Sequence, residues 1–493
     1  TCKSEVTVEA LRQHLSSFVP DYMIPAFFVQ LNEFKLNLHG KIDRKALPKP
    51  EELLYERVPY TAPSTDSEQK VAEIWGEILG LHKVGVNNLF IDLGGDSLKA
   101  IRTVSKIYKV FEVEVSLKDF FEHATVQRLA QLIDHTIKSQ FAAIPAIPTS
   151  DHYPVSHAQR RLWVLHQMDI DARAYNLPSV YMLEGECHTA ILEEAFRQLI
   201  ARHEVLRTQF LMVNGDLRQH VLPHIDFTLP VIDLCEHPNP LDAATQLIEQ
   251  DHAQSFDLTH APLMRLQLLK VAPQRHIFMF NIHHIISDAW SLDVLVREIL
   301  LLYRDLFEGK PTSLPPLRIQ YKDYSHWQHQ MLIDATAESH KNYWLQRFAP
   351  PLPQLNLSTD FPRPVIQTFR GHTLHFHLDK RTTENITAFC QQQQVSIFMF
   401  VLAVTRTLLY RYTGQEDIII GSPIAGRNHP DLEEQIGFYV NTLALRDAAA
   451  GHEDFLTILH RVKQSTTDAF DHQMYPFDRL IDELHLERDM SHA

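Results

Sequence analysis

The sequence is poor in cysteine, in long apolar runs and in excess positive charge. Its 493 residues include four cysteines, Cys2, Cys187, Cys235 and Cys390, which lie far apart and form no CxxC pair. This spacing argues against a disulfide framework and against a cysteine metal site. It is typical of reduced thiols in a cytoplasmic protein.

The missing features exclude further classes of protein. Without a signal peptide or a long uncharged apolar stretch, we expect neither export nor a membrane span. The net charge of −15 argues against nucleic-acid binding through phosphate attraction. A length of 493 residues with 45% apolar residues predicts two to four domains with large cores. The first residue is not Met and both ends fall inside recognisable segments, so we expect a piece of a larger polypeptide.

A strand followed by a helix is predicted between Arg275 and Tyr303. Residues 278–282 form a short apolar run typical of a buried strand, and residues 292–303 place apolar side chains at helical spacing. Ser287 and Asp288 stand where this helix needs an N-cap. The junction between this strand and this helix is a candidate position for catalytic residues.

The junction carries His283, His284 and Asp288 in the order HHIISDA. The pair predicts one imidazole in the wall of the fold and the other at the end of the strand. An imidazole with a pKa near 6.5 exchanges protons with an amine or alcohol at neutral pH, so both histidines are candidate catalytic residues. The chain has 30 histidines, however, and an isolated pair would also fit a structural role.

A second candidate site lies in the segment LGGDSL. Gly94 and Gly95 precede Asp96 and Ser97, and they leave the serine hydroxyl uncrowded at the start of a predicted helix, where an anion is stabilised. An amphipathic helix is predicted at residues 67–79, and a third helix follows, which together indicate a small helical bundle. By itself GGDS also fits an ordinary N-cap serine.

LGGDSL and an earlier segment, HGKIDRKALP (residues 39–48), resemble parts of nonribosomal peptide synthetases. LGGDSL resembles the attachment motif of peptidyl carrier domains, which implies a 4′-phosphopantetheine cofactor on Ser97 with the preceding Gly-Gly-Asp as its loop. HGKIDRKALP resembles the end of an adenylation domain, where NGKIDRKALP is usual. Lys41 matches the lysine that contacts the acyl-adenylate, and His39 stands where Asn is common. The nucleotide-binding core is absent, so we do not expect this chain to activate amino acids.

Seven segments after residue 152 resemble, in order, the motifs of condensation domains of the same synthetases, which are relatives of chloramphenicol acetyltransferase. They are YPVSHAQRRLWVLHQ (153–167), RHEVLRTQF (202–210), HHIISDA (283–289), YKDYSHWQ (321–328), IGFYVNTLALR (436–446), HQMYPFDRLIDEL (472–484) and RDMSH (488–492). The family's central motif is HHxxxDG, and Ala289 replaces the usual Gly. The resemblance implies two α/β lobes with a tunnel between them and HHIISDA at its centre.

The expected fold is therefore multidomain. It comprises a small α+β adenylation tail, a four-helix carrier bundle and an α/β two-lobed condensation domain whose C-terminal part is truncated. The expected boundaries are 1–50 for the tail, 51–63 for a linker, 64–140 for the carrier, 141–152 for a second linker without periodicity, and 153–493 for the condensation domain, with an N-lobe at about 153–325 and a partial C-lobe at about 326–493.

The reaction implied by the resemblance is aminolysis of a thioester, in which the donor is held on Ser97 and the amine comes from a downstream carrier. His284 would accept the ammonium proton or orient the amine, and tethering would supply proximity. Asp288 would pair with Arg207, because a buried carboxylate needs a partner. A backbone amide near Ala289 would help to hold the oxyanion. We expect no metal.

The implied partners are a phosphopantetheinyl transferase, the upstream adenylation core and the downstream adenylation and carrier domains. The substrates would be carrier-bound aminoacyl or peptidyl groups, used in antibiotic or siderophore biosynthesis. We expect a cytoplasmic monomer without nucleic-acid or membrane partners. Since no epimerisation domain separates carrier from condensation segment, an L-configured donor is expected.

Four alternatives remain open from the sequence. An epimerisation domain shares HHxxxD, although NTLALR at residues 441–446 is typical of condensation. A heterocyclisation domain would replace the two histidines with aspartates. A non-catalytic recruitment domain would keep the fold without the chemistry, and Ala289 is the feature that favours it. A free-standing acetyltransferase using coenzyme A would not need the carrier at Ser97.

Overall fold

The computed structural model describes residues 60–137, 142–168, 173–362 and 371–485. Its backbone contacts divide the chain into two compact units. The first holds residues 60–137, 371–411 and 449–467, and the second holds residues 142–362, 412–448 and 468–485. The expected adenylation tail with Lys41 and the motif at 488–492 lie outside the described residues. The expected lobe boundary near residue 325 does not coincide with this division and stays a prediction.

The described helices are numbered along the chain. They are α1 (Asp66–Leu79), α2 (Ser97–Phe111), α3 (Leu117–Glu122), α4 (Val126–His135), α5 (His157–Met168), α6 (Thr189–Arg202), α7 (Pro240–His252), α8 (Ala289–Phe307), α9 (Tyr321–Met331), α10 (Ala335–Arg347), α11 (Lys380–Gln393), α12 (Ile397–Thr413), α13 (Phe455–Asp471) and α14 (Phe477–Leu484). Short 3₁₀ turns lie at Glu204–Arg207, His284–Ile286 and Pro430–Leu432.

The strands belong to three small sheets of the second unit. They are β1 (Tyr153–Pro154), β2 (Asn176–Glu184), β3 (Thr208–Val213), β4 (Asp216–Val221), β5 (Val231–Asp233), β6 (Met264–Ala272), β7 (Arg275–His283), β8 (Asp417–Ile424) and β9 (Asn441–Ala448). The sheet orders are β2-β7-β6-β5, β1-β4-β3 and β8-β9. Only β5 and β6 pair in parallel among these strands.

Helices α1 to α4 follow one another along residues 60–137 of the first unit. Helix α1 begins with a capping box, in which Thr65 accepts from the Glu68 amide and the Glu68 side chain accepts from the Thr65 amide. The ring of Phe90 lies between those of Trp75 and Phe120. It packs edge-to-face against each of them, with ring centroids 4.9 Å apart in both pairs. This aromatic cluster packs α1 and α3 against the loop that precedes α2.

The predicted strand and helix around HHIISDA are confirmed. Strand β7 lies between β2 and β6 and is buried from His276 onward except for a half-buried Phe278, which explains its continuous apolar sequence. Helix α8 begins six residues after the strand ends, and Asp288 is its N-cap. A large apolar cluster of the second unit surrounds this junction and includes Phe280, Ile285 and Phe438.

Among the described residues, no single helix is long and apolar enough to cross a membrane. Helices α11 and α12 pass the length and composition test only as a pair, and they are bent by 102° at their junction. The described cysteines Cys187, Cys235 and Cys390 are free thiols. No group of three or more potential metal ligands was found in the described part of the chain.

Candidate active site

His283 ends strand β7 and is fully buried. Its Nδ1 accepts a hydrogen bond from the backbone amide of Ile285 at 3.1 Å, so the neutral ring carries its proton on Nε2. Burial, together with the nearby rings of His166 and His284, lowers the pKa of His283 to about 3. The ring is therefore neutral at physiological pH and forms the wall of the site, as the sequence predicted for one of the two histidines.

His284 is half-buried and begins the 3₁₀ turn after the strand. Its Nδ1 lies 2.7 Å from the carbonyl oxygen of Ser287. Because a carbonyl oxygen only accepts, Nδ1 carries the proton and the neutral ring keeps its lone pair on Nε2. The ring also meets Phe438 edge-to-face, with centroids 4.7 Å apart. His284 is thus held in the tautomer that can accept a proton at Nε2.

Asp288 is buried and uses both carboxylate oxygens. Oδ1 accepts from the amide and the hydroxyl of Ser291, each at 2.7 Å, and from the guanidinium of Arg427 at 3.1 Å. Oδ2 accepts from the amide of Tyr439 at 3.1 Å. The side chain therefore caps α8 and ties it to a distant part of the chain.

The predicted pair between Asp288 and Arg207 is wrong. The guanidinium of Arg207 donates to the carbonyl of Leu222 and lies 3.7 Å from the carboxylate of Glu204. Arg207 closes the 3₁₀ turn that leads into β3, so its side chain is used within the neighbouring hairpin. The requirement for a buried partner was correct, but the arginine was not.

Arg427 is the residue that sequence reasoning missed. It is fully buried and donates to the carbonyls of Leu432 and Gln435, the latter at 2.7 Å. Its guanidinium also lies 4.0 Å from the centroid of the Tyr439 ring, a cation–π contact. In the sequence Arg427 is a single arginine after Gly426. Its position gives no indication that it would pair with a carboxylate 139 residues earlier.

The segment 435–439 lies along the start of α8 and is held at successive residues. The Ser291 hydroxyl lies 3.0 Å from the Gly437 amide and 2.7 Å from its carbonyl, and the Tyr321 hydroxyl donates to the Phe438 carbonyl. Burial raises the pKa of Tyr321 well above its usual value, which keeps this hydroxyl a donor. A Cβ at Gly437 would lie 2.0 Å from the Tyr321 ring, so only glycine fits. These bonds place the Phe438 ring against His284.

Ala289 is the first residue of α8. Positive φ among the described non-glycine residues occurs at Glu112, Asn214, Gln394 and His485, so Ala289 has an ordinary backbone and needs no glycine. Its amide belongs to the first helical turn, whose N–H groups have no intrahelical acceptor. Its use as an oxyanion donor stays a prediction.

The predicted attachment loop also lies at a helix start. Helix α2 begins at Ser97, and its N-cap Asp96 accepts from the Lys99 amide at 2.9 Å. Gly94 has a φ of 87°, and a Cβ at Gly95 would lie 2.2 Å from the Phe90 ring. Both positions therefore require glycine. The loop fits a serine-linked phosphate, although the Ser97 side chain lies outside what the structure describes.

Two family models match separate parts of the chain. Residues 149–493 match the family model of the condensation domain, and residues 69–133 match that of the phosphopantetheine attachment site. Gramicidin S synthase 2 of Brevibacillus brevis is 41% identical over 489 residues, covering 99% of this chain and 11% of the relative. Tyrocidine synthase 3 of Brevibacillus parabrevis is 40% identical over 491 residues, covering 100% and 7%. The chain thus spans a small fraction of the length of these relatives.

Two solved structures show the same fold. The X-domain from teicoplanin biosynthesis matches with a TM-score of 0.65 at 25% identity, covering 71% of this chain and 78% of that one. The first condensation domain of the calcium-dependent antibiotic synthetase, in complex with a substrate analogue, matches with a TM-score of 0.57 at 22% identity, covering 68% and 78%. Because the condensation match extends over residues 149–493, the chain belongs to the condensation-domain family of nonribosomal peptide synthetases and carries a phosphopantetheine attachment domain ahead of it.

Proposed function

We propose that the condensation segment forms a peptide bond by transferring a carrier-bound acyl group to the amine of an amino acid on a downstream carrier, breaking the thioester C–S bond and releasing the donor pantetheine thiol. The observation that carries this proposal is the 2.7 Å hydrogen bond from His284 Nδ1 to the Ser287 carbonyl. It leaves Nε2 as the proton acceptor at the end of a rigid strand. Membership of the condensation-domain family indicates the reaction in which this acceptor would take part, which is peptide-bond formation.

The carrier part of the proposal rests on the loop at the start of α2. When bound to Ser97, phosphopantetheine supplies the thiol that holds the acyl group as a thioester. Gly94 and Gly95 allow the tight loop that leads into Ser97, and the helix N-terminus would stabilise the phosphate charge. Helices α1 to α4 would form the carrier bundle, and a phosphopantetheinyl transferase would recognise it.

His284 would act on the incoming amine. A free α-amine has a pKa near 8 and is partly protonated at neutral pH, so proton acceptance at Nε2 gives the nucleophile. Asp288 makes no bond with His284 in the structure. Together with Arg427 it fixes the start of α8, where the Ala289 amide would stabilise the oxyanion.

The experiment compares His284→Ala with the surface variant His260→Ala in a peptide-forming assay from two loaded carriers. Loss of general base catalysis should slow peptide formation by about 10²–10⁴-fold, while carrier loading is unchanged. The matched control removes a histidine that is 80% exposed and should keep the wild-type rate. Peptide formation by His284→Ala near the wild-type rate would refute the assignment.

A second candidate is a non-catalytic recruitment domain, as the sequence left open. The likeness to the X-domain of teicoplanin biosynthesis favours it, and that domain has been solved as a complex with OxyB. The same two-carrier assay decides, because a recruitment domain would form no peptide even when both carriers are loaded.

The wider setting is also a proposal. The first fifty residues would be the end of an adenylation domain, and further adenylation and carrier domains would be partners of a monomeric, cytoplasmic synthetase.

A further inference from the structure

The segment that joins the two matched families is bound to the second unit. Residues 141–152 are the predicted linker, and its described part, residues 142–152, contains no helix or strand. Ile144 is fully buried and belongs to the main apolar cluster, and Ile147 is half-buried. The residues between and around them, from 142 to 150, are exposed. Within residues 142–150, the two side chains withdrawn from solvent are therefore three residues apart.

A single ion pair holds both backbone groups of Ile144. Its amide donates to Asp431 Oδ2 at 3.0 Å, and its carbonyl accepts from Arg318 Nη1 at 2.7 Å. Arg318 in turn donates to the same carboxylate through Nε at 3.3 Å. The Asp431 side chain is only 9% exposed, so the amide of Ile144 satisfies a charge that is largely removed from water.

A second contact lies three residues further on. The amide of Ile147 donates to Asp323 Oδ1 at 2.8 Å, while the other oxygen of this buried carboxylate accepts from the Gln320 amide at 2.6 Å at the start of α9. At the N-terminal side, His429 Nε2 lies 3.0 Å from the carbonyl of Ala142. Four separate side chains, those of His429, Asp431, Arg318 and Asp323, thus bind the backbone between residues 142 and 147.

The sequence of the segment prepares it for this binding. Ile144-Pro145-Ala146-Ile147-Pro148 places each isoleucine before a proline, which favours extended backbone. A polyproline II helix has three residues per turn and no internal hydrogen bonds. Ile144 and Ile147 then fall on one side, and both amides are available to carboxylates. A segment already biased toward this shape loses little entropy on docking.

We infer that Arg318, Asp323 and Asp431 form a recognition site for the Ile-Pro-Ala-Ile-Pro segment of this same chain, and that this site anchors the carrier tether. Helix α4 ends at His135, so residues 136–141 are the chain left between the carrier helices and the first bound residue, Ala142. The seven residue steps from His135 to Ala142 span at most about 25 Å. The anchor therefore limits how far the carrier can travel from the condensation unit.

Hydrogen exchange on the intact chain tests the docking, independently of any catalysis. The amides of Ile144 and Ile147 should be protected, whereas neighbouring amides without such partners exchange freely. Asp431→Ala should raise exchange at Ile144 by about tenfold or more, and the exposed control Ala146→Ser should leave it unchanged. Rapid exchange at both isoleucines in the wild type would overturn the inference.

Pro145→Gly provides a second variant, because Asp431→Ala could disturb the 3₁₀ turn at residues 430–432. Pro145 is exposed, so the glycine alters only the bias of the segment, and faster exchange at Ile144 with an unchanged melting temperature is expected. Unchanged exchange in both Pro145→Gly and Asp431→Ala would overturn the recognition site.

If the anchored segment holds the carrier near the condensation unit, it should speed the delivery of the acyl group on Ser97. This consequence rests on the proposed function and has a separate test. Aminolysis of an acyl group loaded on Ser97 should slow in Asp431→Ala, while aminolysis of a soluble aminoacyl pantetheine thioester by the same variant should not. Equal slowing of both donors would overturn the tether role. Absence of either reaction in the wild-type chain would instead count against the proposed function and leave the exchange result standing.

Discussion

Removing the carboxylate of Asp288 should be one of the most destabilising single changes in the second unit. Asp288→Ala leaves the guanidinium of Arg427, which is fully buried, without its counter-charge. It also removes the cap of α8 and the acceptor for the Tyr439 amide. Stranding one member of a buried pair costs about 3–5 kcal/mol, and the loss of the cap adds about 1 kcal/mol.

The double variant should cost less than the sum of its parts. Arg427→Met removes the buried positive charge and leaves Asp288 with its bonds to Ser291 and Tyr439. In Asp288→Ala/Arg427→Met neither charge is stranded, so the free energies of unfolding should show a coupling of about 1–3 kcal/mol. Urea unfolding at neutral pH measures all four corners of the cycle.

Arg207→Ala is the matched control. Arg207 is another largely buried arginine, but its partners are the Leu222 carbonyl and Glu204. Because it shares none with Asp288, the two changes should add within about 0.5 kcal/mol. Coupling of Asp288 to Arg207, or additivity of Asp288 and Arg427, would refute the pairing.

Further outcomes follow from other residues. Ser97→Ala should abolish the mass gain produced by a phosphopantetheinyl transferase and coenzyme A, and a pantetheine-sized gain on this variant would contradict the assignment. Because the pKa of His283 is lowered to about 3, the unfolded chain takes up a proton below pH 6.5 that the folded chain does not. The free energy of unfolding should therefore fall by about 1.4 kcal/mol for each pH unit below pH 6.5, until the pH reaches about 3. Between pH 7 and pH 5 the free energy of unfolding of His283→Asn should depend less steeply on pH than that of the wild type, and an identical dependence would exclude His283 as its source. Phe438→Leu should lower kcat more than it raises KM, because it removes the ring packed on His284; a change in KM alone would contradict a positioning role for this ring. Turnover of an L-aminoacyl donor on Ser97 should exceed that of the D form.

The sequence by itself determined the local parts of both sites. The apolar run of β7, the helical spacing of α8 and the cap at Asp288 act over a few residues, so they were visible without the fold. The same holds for the glycines before Ser97, whose short loop must turn into a helix. The ordered motifs also identified the family, because each is a contiguous stretch of chain.

The tertiary structure alone decided which distant groups meet. From the sequence we expected Arg207 as the partner of Asp288, whereas the fold brings Arg427 to within 3.1 Å of this carboxylate. In the same way, the amide of Ile144 binds Asp431, which lies 287 residues further along the chain. A charged side chain has the same chemistry wherever it occurs, so its partner is set by the folded path of the backbone and not by its own neighbours in the sequence.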